Sequence, residues 1–152
     1  MSYFQVIEEE EGIQDRILRG LRGRPRGGNA PEHPALLVVS PWAAARGRDL
    51  PRSCRTALVP GEMGERCRVR AASAVSYGPS PRDSLTVSSR EGDRLWVALQ
   101  REVVTVEGMV VERQEFPVTL PPGEEPLPVL AAAGALLLLG VPPEEVDQSL
   151  SR

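Results

Sequence analysis

Ala74-Val75-Ser76-Tyr77-Gly78 and Leu127-Pro128-Val129-Leu130-Ala131-Ala132-Ala133-Gly134-Ala135-Leu136-Leu137-Leu138-Leu139 bracket the stretch whose reading decides the fold. The first segment has the composition of a strand, and Gly78-Pro79 breaks it. The second is apolar all round, and a helix without a polar face packs between layers. It is too short to cross a bilayer, which takes about 20 residues. Gly140 closes it. Pro142-Pro143-Glu144-Glu145 then starts a short last helix, with proline at its first position and acids in its first turn.

Between these two segments, residues 95–106 and 109–120 flank Glu107-Gly108, a two-residue hairpin turn. That register sets Leu95 opposite Leu120, Val97 opposite Val118, Leu99 opposite Phe116 and Glu102 opposite Arg113. Nearer the tip the apolar residues change face, with Val104 opposite Val111 and Val106 opposite Met109. A period-two strand cannot switch its buried face without a slip. The pattern therefore predicts a bulge or sharp twist near Arg101-Glu102 or Arg113-Gln114, or a tip whose other face packs elsewhere. Pro117 removes a ladder donor and places the second strand at a sheet edge.

Toward the N-terminus, residues 3–7 read as a short edge strand. Ile13, Ile17 and Leu21, with Leu18 beside them, make one helical stripe ending near Gly20. Glu8-Glu9-Glu10-Glu11 leads this helix and Arg16, Arg19 and Arg22 trail, as the helix dipole favours. Residues 35–40 are a continuous apolar run, the mark of a strand buried on both faces. Pro41-Trp42 stops it, and 43–46 reads as a helical turn. Residues 55–59, 67–70 and 72–76 are further short strands. The expected organisation is one globular unit. Residues 1–34 form an N-terminal strand and helix with a flexible Arg/Gly/Pro-rich loop, and residues 35–152 form the α/β domain. The fold class is α/β: layered, with a mainly parallel sheet, an antiparallel β-hairpin and flanking helices.

The chain has 152 residues and a net charge of −3, which gives no field for nucleic acid. Arg19, Arg22, Arg24 and Arg26 lack interleaved aromatic residues and read as a solvated loop. All 18 basic residues are arginine, so chemistry that needs lysine is excluded. The single histidine (His33) and two cysteines (Cys54, Cys67) fit no metal-ligand spacing. The cysteines read as reduced thiols of a cytoplasmic protein, with a disulfide between them as the alternative. The N-terminal residues lack the basic start and apolar core of a signal peptide. No metal, cofactor or membrane contact is expected.

Tyr77, Arg82 and Asp83 sit at a strand's C-terminal end, where α/β sheets bind ligands, and are the candidate ligand-binding residues. Arg101, Glu102, Arg113 and Glu115 form a charged cluster in mid-hairpin. They are the candidate partner-binding residues, against the plainer reading of a solvated sheet face. No Gly-x-Ser-x-Gly elbow occurs, and no residue is assigned a catalytic role.

In this order the segments resemble the second half of the central, ATP-binding domain of the Mur ligases. The resemblance rests on the strand ending in Tyr77-Gly78 and the antiparallel segments after it. It rests also on Leu130-Ala131-Ala132-Ala133 and on Leu139-Gly140-Val141-Pro142-Pro143-Glu144-Glu145-Val146. It spans residues 72–146, with 36–40 as the preceding buried strand. Members of that family activate a carboxylate with ATP and join it to an amine, using a lysine-bearing phosphate loop and Mg²⁺ ligands. Here Ser40-Pro41-Trp42 replaces the family's nucleotide motif, and Glu124-Glu125-Pro126-Leu127-Pro128 replaces its His-Asn segment. The resemblance thus implies a scaffold without the catalytic groups, a protein-interaction or regulatory module. It also implies an open sheet edge and helix face for a homodimer or protein partner to cover. The alternative is a subunit of an ATP-dependent carboxylate–amine ligase completed by a second chain.

Overall fold

The computed structural model describes residues 4–22, 33–66 and 69–151. Along the chain run β1 (Phe4–Ile7), α1 (Ile13–Gly20), β2 (Leu36–Val39), α2 (Pro41–Arg46), β3 (Ser53–Pro60) and a 3-10 turn (Gly61–Arg66). Then come β4 (Arg70–Tyr77), β5 (Leu85–Glu91), β6 (Arg94–Leu99), β7 (Val103–Val104), β8 (Val110–Val111) and β9 (Gln114–Thr119). The helices α3 (Pro126–Leu138) and α4 (Pro143–Leu150) end the fold. One seven-stranded sheet has the order β1-β2-β3-β4-β5-β6-β9, and β7-β8 is a separate two-stranded ribbon. β1 to β5 are parallel, while β5, β6 and β9 are antiparallel.

The expected α/β class is the one observed. Leu36 and Val38 pack toward α1, α3 and α4; Leu37 and Val39 pack toward α2 and the 3-10 turn. Every residue from Pro128 to Leu138 is buried. Close packing of α3 needs two glycines. A Cβ at Gly134 would lie 2.9 Å from a Leu85 methyl, and one at Gly20 would lie 2.7 Å from a Leu136 methyl.

The acidic run works as a set of caps. Both Glu8 carboxylate oxygens accept from the start of α1, at Ile13 N–H (2.9 Å) and Gln14 N–H (3.0 Å). Glu11 accepts from Trp42 N–H at 3.1 Å, and Glu9 pairs with Arg48 at 2.9 Å. These bonds fasten α1, α2 and Arg48 just beyond α2 to the segment that follows β1.

Several expectations change. The strand β5 lies where the sequence reading has none, joined to β6 by a turn with Gly92 at φ 61°. Residues 67–70 and 72–76 are not two strands; β4 is one strand, and Cys67 and Arg68 lie outside the described residues. Residues 23–32 of the expected loop also lie outside them. In the hairpin, Leu95 stands opposite Val118 and Val97 opposite Phe116, a shift of two residues that keeps the same buried face. The turn is one residue longer than expected: Thr105 N–H donates to Met109 O at 2.8 Å, with Gly108 at φ 90°.

The irregularity falls where the pattern placed it, but as a register slip: Leu95, Val97, Leu99 and Val103 keep one buried side along the first strand. Leu99 pairs with Gln114 and Val103 with Val111, so four steps on one strand oppose three on the other. The extra residue twists the ribbon toward α3, where Val106 N–H donates to Leu138 O at 2.9 Å. The side that turns inward differs from the expected one. Val103, Thr105 and Val106 are buried, while Val104, Met109 and Val110 are exposed.

Pro117 does sit on the edge strand β9, and Asp147 of α4 caps the neighbouring edge donor, Thr119 N–H, at 2.7 Å. Among the described residues α1 and α4 pack over α3, and every residue from Pro128 to Leu138 is buried, so that helix presents no open face. At the other edge of the sheet, β2 is the one strand beside β1 among the described residues.

Candidate functional site

β3 and β4 end side by side at Pro60 and Tyr77, and each is followed by a glycine. A cavity of about 370 Å³ opens there, walled by Pro60, Tyr77, Pro79 and Leu127. Glu62, Arg82 and Asp83 supply its charged lining. A cavity of this size at the carboxyl ends of parallel strands suits a small ligand.

Gly61 and Gly78 are required by close approach. A Cβ at Gly61 would fall 1.7 Å from Asp83 Oδ1, and one at Gly78 would fall 2.6 Å from Oδ2. The Asp83 carboxylate therefore lies directly on the backbone of both strand ends. It is 4% exposed, and its Oδ2 accepts from Ser80 N–H at 3.1 Å. Asp83 N–H returns a bond to Ser80 O at 3.0 Å, and Arg82 N–H donates to Ser80 Oγ at 3.1 Å. Residues 78–84 thus form a tight, internally bonded loop.

That loop is also held from β6. The Gln100 amide donates to Pro81 O and to Asp83 O, both at 2.8 Å. The Arg101 guanidinium donates to Arg82 O at 2.7 Å.

Tyr77, Arg82 and Asp83 come together around this cavity, but their exposures differ. Tyr77 is fully buried, and its hydroxyl donates to Val39 O at 2.5 Å. Burial pushes the phenol's pKa well up, and the negative charges of Glu11 and Glu62 add to the effect. Tyr77 therefore joins β4 to β2 as a neutral donor, and it is among the residues that line the cavity. Arg82 is exposed at the rim.

Arg101, Glu102, Arg113 and Glu115 are all exposed. Glu102 and Arg113 fall in the break between the two sheets and belong to no strand, so their expected cross-strand pairing does not form. Arg101 instead braces the cavity loop. Sequence reasoning missed Gly61, Ser80 and Gln100. The signal for Gly61 was present, since Pro60-Gly61 repeats the strand-then-glycine pattern of Tyr77-Gly78.

His33 shares a hydrogen bond with the Ser53 hydroxyl. Ser53 opens β3 and Pro60 closes it. At roughly 3.3 Å per residue this places His33 about 23 Å of strand from the cavity. Among the described residues no group of three or more His, Cys, Asp or Glu side chains could hold a metal ion. No helix among them is long and apolar enough to cross a membrane. No protein-family model matches the chain, and no curated protein matches it.

Proposed function

We propose that this chain is a non-catalytic domain on a scaffold similar to the second half of the Mur ligase central domain. It works in the cytoplasm as a protein-interaction or regulatory module. The observation that carries the reading is the order of elements. A parallel strand ending in Tyr77-Gly78 is followed by antiparallel β5, β6 and β9, then the buried alanine-rich α3, Gly140 and α4. The absence of lysine from the sequence supports the non-catalytic part of the reading. In this reading Tyr77, Arg82 and Asp83 border the ligand cavity. Arg101, Glu102, Arg113 and Glu115 present a charged face to a partner.

A second reading, a ligase subunit completed by another chain, is favoured by the β1 edge. Four parallel strands lead up to it, and among the described residues only β2 lies beside it. A partner carrying the phosphate loop would extend the sheet there. Calorimetry with ATP and Mg²⁺ separates the two readings. Silence both alone and with candidate partner chains supports the first, and nucleotide heat that needs a second chain establishes the ligase subunit. Sedimentation of the purified chain tests the interaction role: a homodimer meets it directly, and a monomer requires a heterologous partner.

A further inference from the structure

Asp83 is nearly sealed from solvent, yet it lines the cavity. Its Oδ2 accepts from the Ser80 N–H; no hydrogen bond to Oδ1 occurs among the described residues, and Oδ1 is not one of the buried atoms left unpartnered, so it opens to the cavity. A carboxylate oxygen that opens into a cavity without a protein donor can accept from a donor bound there. The side chain cannot swing away cheaply, because Ser80 holds it on one side and the Gly61 and Gly78 backbones lie against it.

The lining around the carboxylate narrows the class of donor. Pro60, Pro79 and Leu127 give an apolar wall, and Glu62 adds a second carboxylate. Among the described lining residues Arg82 is the one base, and it is exposed at the rim. Glu11 and Glu62 both lie close enough to act on the Tyr77 phenol, so further carboxylates stand near this end of the sheet. An anion would meet Asp83 unfavourably at the cavity floor.

We propose that this cavity binds a cationic hydrogen-bond donor, a guanidinium or ammonium group on a short apolar stem, with Asp83 as its counter-ion. The head group sits against Asp83, and the stem lies along Pro60, Pro79 and Leu127. Arg82 at the rim limits the ligand to one positive charge. The proposal rests on reading the cavity as a binding site and adds the ligand class.

Titrating the ¹⁵N-labelled full chain with n-butylguanidinium, n-butylammonium, butyrate and Mg-ATP tests it. At least one cation should shift the Gly61, Gly78, Ser80 and Leu127 amides saturably, and butyrate should not. Asp83→Asn should weaken cation binding by about tenfold or more, the loss expected for a charged hydrogen bond. Arg82→Ala leaves the socket in place and should tighten cation binding severalfold at low salt. If Asp83→Asn fails to fold, the Arg82→Ala result decides. Butyrate binding as well as the cations, a folded Asp83→Asn with wild-type affinity, or weaker cation binding by Arg82→Ala overturns the proposal. Should Mg-ATP shift these amides while neither cation does, the cavity is a site but the ligand class is wrong. Should none of the four ligands act, both readings fall. A blocked Gly-Arg-Gly peptide that binds more tightly than n-butylguanidinium assigns the cation to a protein partner's side chain. Weaker peptide binding assigns it to a free small molecule.

Discussion

In β2 all four residues are buried, and successive side chains enter two different cores. In β9, Phe116 and Val118 are buried while Glu115 and Thr119, which alternate with them, are exposed. The two strands lie in one sheet, but only the parallel half is covered on both faces. There α2 and the 3-10 turn cover the side that α1, α3 and α4 do not. Toward β9 no helix among the described residues covers that side, and β4 already shows the change, with Ala72 and Ala74 exposed. The contrast teaches that a continuous apolar run reports coverage on two faces and alternation reports coverage on one.

The largest effects should come from breaking the contrast where burial is complete. Leu36→Ala and Leu37→Ala empty opposite faces of β2, and each should cost about 2–5 kcal/mol by chemical denaturation. Glu115→Ala in β9 should stay within about 0.5 kcal/mol. A cheap Leu37→Ala would mean that the smaller core collapses readily and that the strand depends on one face only.

Next in size is Gly134→Ala, which sets a methyl 2.9 Å from a Leu85 methyl and 3.1 Å from one of Leu58. Alanine favours the helix by about 1 kcal/mol. The overpacking penalty of about 1–3 kcal/mol should outweigh that and lower the melting temperature. A stabilised variant would show that α3 can lift off the sheet at little cost.

Tyr77→Phe should cost about 1–2 kcal/mol, because Val39 O is left without its donor in a buried setting. The phenol also makes stability depend on pH. Its ordinary pKa is 10.0, and burial holds the folded-state value above that. From about pH 10 upward the unfolded chain ionises while the folded one does not, so stability falls as pH rises. Tyr77→Phe should remove that component of the alkaline decline. An unchanged slope would show that the hydroxyl is reached by water or base.

The smallest change in stability, though not in behaviour, is expected at the β9 edge. Pro117→Val restores an outward donor, and Asp147→Ala frees Thr119 N–H, each within about 1 kcal/mol. Together they should promote self-association, seen as a concentration-dependent rise in sedimentation coefficient. A double variant that stays as monodisperse as the wild type would show that these two residues do not guard the edge.

The sequence by itself determined the class of fold, the buried all-apolar helix, the edge position of Pro117 and the break in the hairpin. Each follows from local composition or period: Leu-Leu-Val-Val in β2, alanine and leucine on every side of α3, and an apolar pattern along the hairpin that period two cannot carry without a slip. It also brought Tyr77, Arg82 and Asp83 to one strand end. Tertiary structure decided the rest. β5 begins Leu-Thr-Val and then turns polar, so only its pairing with β6 makes it a strand. The hairpin register depends on one extra residue, whose position is set by the docking of Val106 on α3. The Asp83 socket joins Gly61, Gly78 and Ser80 from two strand ends and a loop. No pattern along the chain encodes that proximity, because it exists only once β3 and β4 lie side by side.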